Sequence, residues 1–123
     1  MRILIVDTLP QSRQSLRALL SAWDRNAELK ETANGLDALQ AAKDWQPEIV
    51  VMDMGKEKMN GIEILKQMKD KWQQIKVVVL SIDAEFERDA LEAGADAFVS
   101  KMATPEKLRS ALCSVSQDLR MRS

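Results

Sequence analysis

The chain has 123 residues, of which 46% are hydrophobic, and its 18 basic and 19 acidic side chains give a net charge of −1. This length fits one domain, and the balanced charge argues against nucleic acid as the main partner, because phosphate contacts need a clustered positive face. Histidine is absent and Cys113 is the single cysteine, which excludes serine–histidine and cysteine–histidine catalysis, zinc sites with histidine ligands and an intrachain disulfide.

Five short strand-like runs alternate with amphipathic segments along the chain. The runs lie, in chain order, at residues 2–6, 28–33, 48–52, 76–80 and 96–99. Between and after them, apolar residues recur at the three- and four-residue spacing of one helix face. These stripes are Leu16/Leu19/Leu20/Trp23, Leu36/Leu39/Ala42, Ile62/Leu65/Met68/Trp72, Phe86/Ala90/Ala93 and Leu108/Ala111/Leu112/Val115/Leu119. The pattern predicts a strand followed by a helix, repeated five times.

Turn and capping residues separate these predicted elements. Asn34-Gly35 marks a turn before the second helix, and Pro47 closes the connection into the third strand. Gly94 follows the fourth helix as a C-terminal stop. Thr104-Pro105 is typical of an N-cap followed by proline at the first helical position.

The strands themselves indicate a parallel sheet. Strands one, three and four are continuous apolar runs rather than alternating ones, which is typical of strands buried on both faces. The second run is polar and gives the weakest strand signal. We therefore expect an α/β fold with helices on both faces of a parallel sheet. The predicted domain covers residues 1–118, and residues 119–123 are expected to form a frayed tail or the start of a linker.

Polar residues end four of the predicted strands: Asp7, Asp53, Ser81 and Lys101. In an open parallel sheet, ligands bind beyond the carboxyl ends of the strands. Carboxylates suit Mg²⁺, whereas a lysine and a hydroxyl can both donate to phosphoryl oxygens. Each residue alone has an ordinary structural explanation, such as a helix cap or a surface charge. Their occurrence at successive strand ends favours a binding site.

The residues around these positions form five motifs. They are Ile3-Leu4-Ile5-Val6-Asp7, Val50-Val51-Met52-Asp53, Met59-Asn60-Gly61, Val79-Leu80-Ser81 and Phe98-Val99-Ser100-Lys101. Together they resemble the receiver (CheY-like) domain of two-component response regulators over residues 1–118. The segment 101–108 is similar to that of regulators with a helix-turn-helix output domain. The resemblance implies a flavodoxin-like (βα)5 doubly wound sandwich, with a five-stranded parallel sheet in the order 2-1-3-4-5.

The resemblance also implies a phosphoacceptor and a metal site. Asp53 would accept a phosphoryl group from a histidine on a separate sensor kinase. Mg²⁺ would be held by Asp7, Asp53 and the backbone carbonyl of Gly55. The domain would take part in its own phosphoryl transfer and dephosphorylation, and it would not be an enzyme that acts on a separate substrate.

Three further residues receive roles from the resemblance. Lys101 would pair with the phosphoryl oxygens, and Asp53, Lys101 and Ser81 would together form the catalytic set. Ser81 would move toward the phosphoryl group, and Phe98 would change its rotamer with Ser81. These movements would pass the signal to the face formed by the fourth helix, fifth strand and fifth helix, where we expect a mixed-charge surface. Its members are Glu87, Glu92, Asp96, Lys107 and Arg109.

Three positions depart from the family pattern. Thr8 stands where the family has a second acid, which is its direct metal ligand, while Glu57 and Met102 stand where prolines are common. Losing one charge pair near about 4 Å costs about 1–4 kcal/mol. Metal affinity should therefore fall roughly tenfold or more, so we expect weak Mg²⁺ binding.

Three alternatives remain at this point. A degenerate receiver would act as a protein-interaction module without phosphorylation, which Thr8 favours. A phosphatase of the haloacid-dehalogenase type would need a second acid two residues after Asp7, where this chain has Leu9. A flavin-binding flavodoxin would need a glycine-, serine- or threonine-rich phosphate loop, whereas Asp7-Thr8-Leu9-Pro10 has no glycine.

The resemblance implies the partners and the location of the domain. We expect a sensor histidine kinase as one partner and an output domain, a partner protein or a second copy of the chain as the other, with no direct binding of nucleic acid by this domain. The longest apolar runs, 3–6 and 77–80, are too short to cross a membrane, and no signal peptide is visible. These features, together with the unpaired cysteine, predict a cytoplasmic protein without membrane contact.

Overall fold

Strands and helices alternate through residues 1–54 and 58–121, which the computed structural model describes. The strands are β1 (Arg2–Val6), β2 (Glu28–Thr32), β3 (Ile49–Asp53), β4 (Lys76–Ser81) and β5 (Ala97–Ser100). The helices are α1 (Pro10–Trp23), α2 (Gly35–Trp45), α3 (Lys58–Lys71), α4 (Glu87–Glu92) and α5 (Pro105–Met121), with a 3₁₀ turn at Ala84–Phe86 before α4. Each predicted strand is confirmed within one residue at either end.

The five strands form one parallel sheet in the order β2-β1-β3-β4-β5, as the resemblance implied. The register aligns Val6 with Met52 and Met52 with Val79. On the other side of β4, Ser81 is aligned with Ser100. The carboxyl ends of these four strands therefore lie at nearly the same height, which brings the residues that follow them to one edge.

The two faces of the sheet bury separate apolar clusters, which confirms the prediction from the continuous apolar strands. Leu4, Val50 and Val77 face α2, α3 and α4. Ile3 and Val78 face the opposite way, toward α1 and α5. Successive residues of a strand point to opposite faces, so β1, β3 and β4 need apolar side chains at nearly every position.

The packing of α2 differs from the predicted stripe. Leu36 is 77% exposed, whereas Ala38, Ala41 and Ala42 are buried. Leu36 lies about 160° around the helix from Ala38 at 3.6 residues per turn. A β-carbon added to Gly35 would lie 2.5 Å from Ile64 Cγ1, so α2 approaches α3 too closely for large side chains between them.

Capping residues lie at the end of α4 and at the start of α2, where stop and turn residues were predicted. Gly94 has φ +113° and follows α4, where its N–H donates to the Leu91 carbonyl while Ala95 N–H donates to the Ala90 carbonyl. These two bonds form a Schellman motif, whose left-handed residue is usually glycine. Asn34 caps α2 by accepting from the backbone N–H of Asp37 at 2.9 Å.

The start of α5 is also capped, and this fixes the loop that follows β5. The helix begins at Pro105, as predicted from Thr104-Pro105. Hydrogen bonds from the backbone N–H of Glu106 and from the Thr104 side chain lower the pKa of the Glu106 carboxyl. A carboxylate in the first turn also interacts favourably with the helix dipole.

Two other expectations are modified by the tertiary structure. Phe86 lies in the 3₁₀ turn rather than in α4, which is only six residues long. α5 continues past Asp118 to Met121 because Leu119 still packs on the α1/α5 side of the sheet. The domain boundary at residue 118 therefore stays a prediction. No helix in the described part of the chain has the length and apolar character needed to span a bilayer.

Asp96 does not join the charged surface predicted for it. Its Oδ2 accepts from Lys69 Nζ at 3.0 Å and from the Val77 backbone N–H at 2.8 Å. Lys76 Nζ lies 3.6 Å from its Oδ1. Asp96 thus ties the start of β5 to α3 and β4 at the end of the sheet opposite Asp53.

The assignment of buried and exposed leucines predicts a stability difference. Leu65 is fully buried, so Leu65→Ala should lower the free energy of unfolding by about 2–5 kcal/mol. Leu36→Ala makes the same chemical change at an exposed position and should shift it by about 0.5 kcal/mol or less. Urea denaturation of both variants measures the two shifts. Similar losses in both would contradict the observed face of α2.

Candidate functional site

The predicted site residues meet at the carboxyl edge of the sheet. Asp53 ends β3 and Ser81 ends β4, while Asp7 follows β1 and Lys101 follows β5. Lys101 Nζ forms an ion pair with Asp53 Oδ2. The backbone N–H of Lys101 donates to the Ser81 carbonyl at 2.9 Å. The convergence expected from the strand ends is therefore present.

The Asp53–Lys101 pair compensates a buried negative charge. The Asp53 side chain is 3% exposed and that of Lys101 is 26% exposed. Removing a carboxylate from water is costly unless it is paired and hydrogen-bonded. Lys101 brings a positive charge to the carboxylate and keeps part of its own ammonium hydrated.

Asp7 is the second buried carboxylate at this edge, with 2% of its surface exposed. Its Oδ1 accepts from the Leu9 backbone N–H at 2.9 Å, just before α1. Its Oδ2 is buried without a hydrogen-bond partner in the part of the chain that the structure describes. A local turn-forming hydrogen bond therefore accounts for one oxygen of Asp7, and the other oxygen is available to a cation.

A cleft of about 100 Å³ joins the two carboxylates. Its lining includes Asp7, Thr8 and Asp53, and Asn60 contributes from α3. Carboxylate oxygens are the ligands that hard divalent cations prefer, so the orphaned Asp7 oxygen and this donor set fit such a cation. Within residues 1–54 and 58–121 there is no group of three acidic, cysteine or histidine side chains for a metal.

Some of the predicted site lies outside the described residues. This applies to the backbone carbonyl of Gly55 and to Glu57. Thr8 is exposed on the lining of the cleft. Met102 is also exposed, with 82% of its surface accessible. The substitution of Thr8 for an acid thus affects the cleft itself, whereas Met102 points to solvent.

Ser81 and Phe98 occupy positions from which a movement could be transmitted. Ser81 is buried, and its Oγ accepts from the Asp83 backbone N–H at 3.1 Å. This bond fits the ordinary turn-forming role of serine. Phe98 is half-buried and packs on the α2/α3/α4 side of the sheet. Because Ser81 Oγ only accepts in this contact, its hydroxyl proton is still available to donate to a ligand.

Two residues near the site escaped the sequence prediction. Ser12 Oγ accepts from Lys101 Nζ at 3.2 Å, and Arg13 Nη1 donates to the Asp7 carbonyl at 2.8 Å. Both lie in the first turns of α1. Ser12 and Lys101 are 89 positions apart, so no local pattern could pair them. The one hint in the sequence was that α1 was expected to start at the carboxyl edge of the sheet, where its first residues could lie near the site.

Comparison with known proteins agrees with this fold. The family model of the response regulator receiver domain matches residues 3–113. The nitrate/nitrite response regulator protein NarL of Escherichia coli K12 is 31% identical over 113 residues, which cover 89% of this chain and 52% of NarL. The transcriptional regulatory protein KdpE of Mycobacterium tuberculosis is 35% identical over 101 residues, which cover 80% of this chain and 43% of KdpE.

A solved structure gives a similar result. The DNA-binding response regulator of the LuxR family from Staphylococcus aureus superposes with a TM-score of 0.81 at 26% identity, covering 93% of this chain and 97% of that chain. Among curated proteins, this chain spans about half the length of the relatives it matches.

The buried Asp7 oxygen predicts how stability responds to a cation. Asp7→Asn removes a buried charge, so the metal-free variant should be more stable than the unchanged protein by about 1–3 kcal/mol. Mg²⁺ at about twenty times its Kd should stabilise the unchanged protein by about 1.8 kcal/mol and the variant far less. Denaturation with and without Mg²⁺ measures both effects. The exposed Asp70→Asn control should keep the Mg²⁺ response, and its loss there would argue against a site at Asp7.

Proposed function

This chain belongs to the receiver domains of two-component response regulators, and we propose that Asp53 accepts a phosphoryl group from the phosphohistidine of a sensor histidine kinase. The observation that carries the proposal is the buried Asp53 carboxylate at the end of the central strand, in contact with Lys101 and sharing a cleft with Asp7. This arrangement supports phosphoryl transfer to Asp53, because the positive charge of Lys101 is already in place beside the carboxylate.

The transfer exchanges one bond to phosphorus for another. An oxygen of the Asp53 carboxylate forms a bond to phosphorus, while the phosphorus–nitrogen bond to the kinase imidazole breaks and its electron pair stays on the nitrogen. Lys101 can offset negative charge on the transferred oxygens, because its ammonium is already at Asp53. In such in-line transfers, positioning and electrostatic stabilisation supply most of the catalysis.

Asp7 and Asp53 would hold Mg²⁺, and the Gly55 carbonyl is proposed as a third ligand from the resemblance. When bound, the ion supplies positive charge that offsets the phosphoryl oxygens. Thr8 contributes a neutral oxygen where the family has a carboxylate. We therefore propose that Mg²⁺ binds weakly, with affinity lower by roughly tenfold or more than for a three-acid site.

The phosphorylated state would be read through Ser81 and Phe98. Ser81, whose Oγ now accepts from the N–H of Asp83, would move so that its hydroxyl donates to a phosphoryl oxygen, and Phe98 would repack with it. The new dianion biases a two-state element in the manner of other phosphorylation switches. Hydrolysis of the phosphoaspartate would return the domain to its starting state, so the protein acts on itself rather than on a separate substrate.

The proposed partners follow from the family and the charge. A sensor kinase supplies the phosphoryl group, and an output domain or partner protein, or a second copy of the chain, receives the signal. NarL and KdpE carry the names of a response regulator and a transcriptional regulatory protein, which supports an output on DNA. With a net charge of −1, the receiver itself is not proposed to bind nucleic acid. A cytoplasmic location is part of this proposal.

The phosphoacceptor can be tested with a small phosphodonor. Acetyl phosphate should label Asp53 alone, since this acid contacts Lys101, and Asp53→Asn should abolish the label. The measurement is intact-protein mass spectrometry followed by peptide mapping, with Asp70→Asn as a control that keeps full labelling. A label that persists in Asp53→Asn would place the acceptor elsewhere. No labelling of the unchanged protein at high Mg²⁺ would instead favour an interaction module that is never phosphorylated.

Thr8→Asp should restore a third carboxylate and tighten Mg²⁺ binding by roughly tenfold or more. The added charge repels the other two acids when metal is absent, so the metal-free variant should be less stable and gain more from Mg²⁺. Titration calorimetry and melting temperatures measure these effects.

The control for added charge is Gln67→Glu on the exposed surface of α3, which should leave Mg²⁺ affinity within about twofold. Equal affinity in Thr8→Asp and the unchanged protein would mean that residue 8 does not contribute to the metal site. If Thr8→Asp binds Mg²⁺ more tightly but Asp53 is not labelled faster, the residue that limits the labelling rate is not residue 8.

A further inference from the structure

Lys101 reaches Asp53 from the edge of the sheet. β4 lies between β5 and β3, so the Lys101 and Asp53 side chains together span roughly 10 Å, at about 4.8 Å between neighbouring strands. A lysine stem is flexible and has many rotamers. Contacts at the ammonium end must therefore select the rotamer that crosses β4.

Ser12 provides one of these contacts. Its Oγ accepts from Lys101 Nζ at 3.2 Å, and its side chain is half-buried in the first turn of α1. The Ser12 hydroxyl is neutral, so it orients the ammonium without competing with Asp53 as a second negative charge. An ammonium has three donors, which lets Lys101 contact Ser12 and Asp53 at the same time.

The surroundings of Lys101 show why this contact matters. A cleft of about 210 Å³ between α1 and α5 is lined by Lys101, Ser12 and Ser15 above an apolar floor. The Lys101 side chain is 26% exposed, so it has open space on its α1/α5 side. The Ser12 hydroxyl on the lining of this space holds the ammonium that contacts Asp53.

We propose that Ser12 is a positioning residue for Lys101, an inference that rests on the proposed function of Asp53. Ser12 holds one N–H of the Lys101 ammonium at the sheet edge. The other N–H donors of Lys101 turn from the Asp53 carboxylate to the incoming phosphoryl oxygens. Because the cation is already oriented, less entropy is lost in reaching the transition state of the transfer. Ser12 acts through Lys101 and need not touch the phosphoryl group.

The rate test compares three variants at a fixed concentration of acetyl phosphate and Mg²⁺. Ser12→Ala should slow the initial rate of Asp53 labelling by about three- to tenfold, which is the net effect of one ordinary hydrogen bond. Ser12→Thr keeps a hydroxyl and should stay within about twofold. Ser15→Ala, one turn further along α1 in the same cleft, is the matched control and should also stay within about twofold. An unchanged rate in Ser12→Ala, or an equal loss in Ser15→Ala, would overturn the proposal.

A second comparison asks whether Ser12 acts through Lys101. In a Lys101→Met background, Ser12→Ala should cause no further loss of rate, because its hydrogen-bond donor is gone. Effects of residues that act as a unit are non-additive in this way. A full additional loss in the double variant would show that Ser12 supports α1 or the site independently, which contradicts positioning.

A measurement on the unphosphorylated protein separates this inference from the function of Asp53. In ¹⁵N-labelled protein, the side-chain ammonium signal of Lys101, assigned by its disappearance in Lys101→Met, should show faster proton exchange in Ser12→Ala than in Ser15→Ala. Equal exchange rates would overturn the Ser12–Lys101 contact. If the unchanged protein is not labelled at all while the exchange difference is present, the proposed function fails and the positioning of Lys101 stands.

Discussion

The ion pair between Asp53 and Lys101 is the contact on which the arrangement of the site depends. It joins the central strand to the edge strand across β4, so it requires the parallel register that aligns the ends of β3, β4 and β5. A buried carboxylate without this partner would be costly. The same ion pair therefore stabilises the carboxyl edge of the sheet and supplies the positive charge for the proposed phosphoryl transfer.

The edge strand β5 is attached by ionic contacts at both of its ends. At its start, Asp96 accepts hydrogen bonds from Lys69 and from the backbone of β4. At its end, Lys101 contacts Asp53 and Ser12. β5 has only four residues and is mostly half-buried, so it contributes less apolar burial than β3 or β4. A change of partner at Lys101 would therefore act directly on β5, the strand that contains Phe98.

The charge balance of the cleft distinguishes this domain from the family pattern. Two carboxylates, Asp7 and Asp53, face one ammonium, and Thr8 stands on the cleft lining in place of a third acid. Fewer negative charges reduce repulsion in the metal-free protein and also reduce attraction for a divalent cation. Under the proposed assignment, Thr8 would therefore make the resting site easier to bury and would lower its affinity for the metal.

The sequence by itself determined the order of elements and the strand-end residues, because apolar runs, capping residues and the parallel-sheet rule are local signals. Asp7, Asp53, Ser81 and Lys101 were predicted from those signals and from the family motifs they carry. The position of Ser12 beside Lys101, the exposure of Leu36 and the inward turn of Asp96 were decided only by the tertiary structure. Each depends on how closely helices approach the sheet and each other, and on contacts between residues far apart in the chain. Hydrophobic spacing along one helix or strand contains no information on such distances.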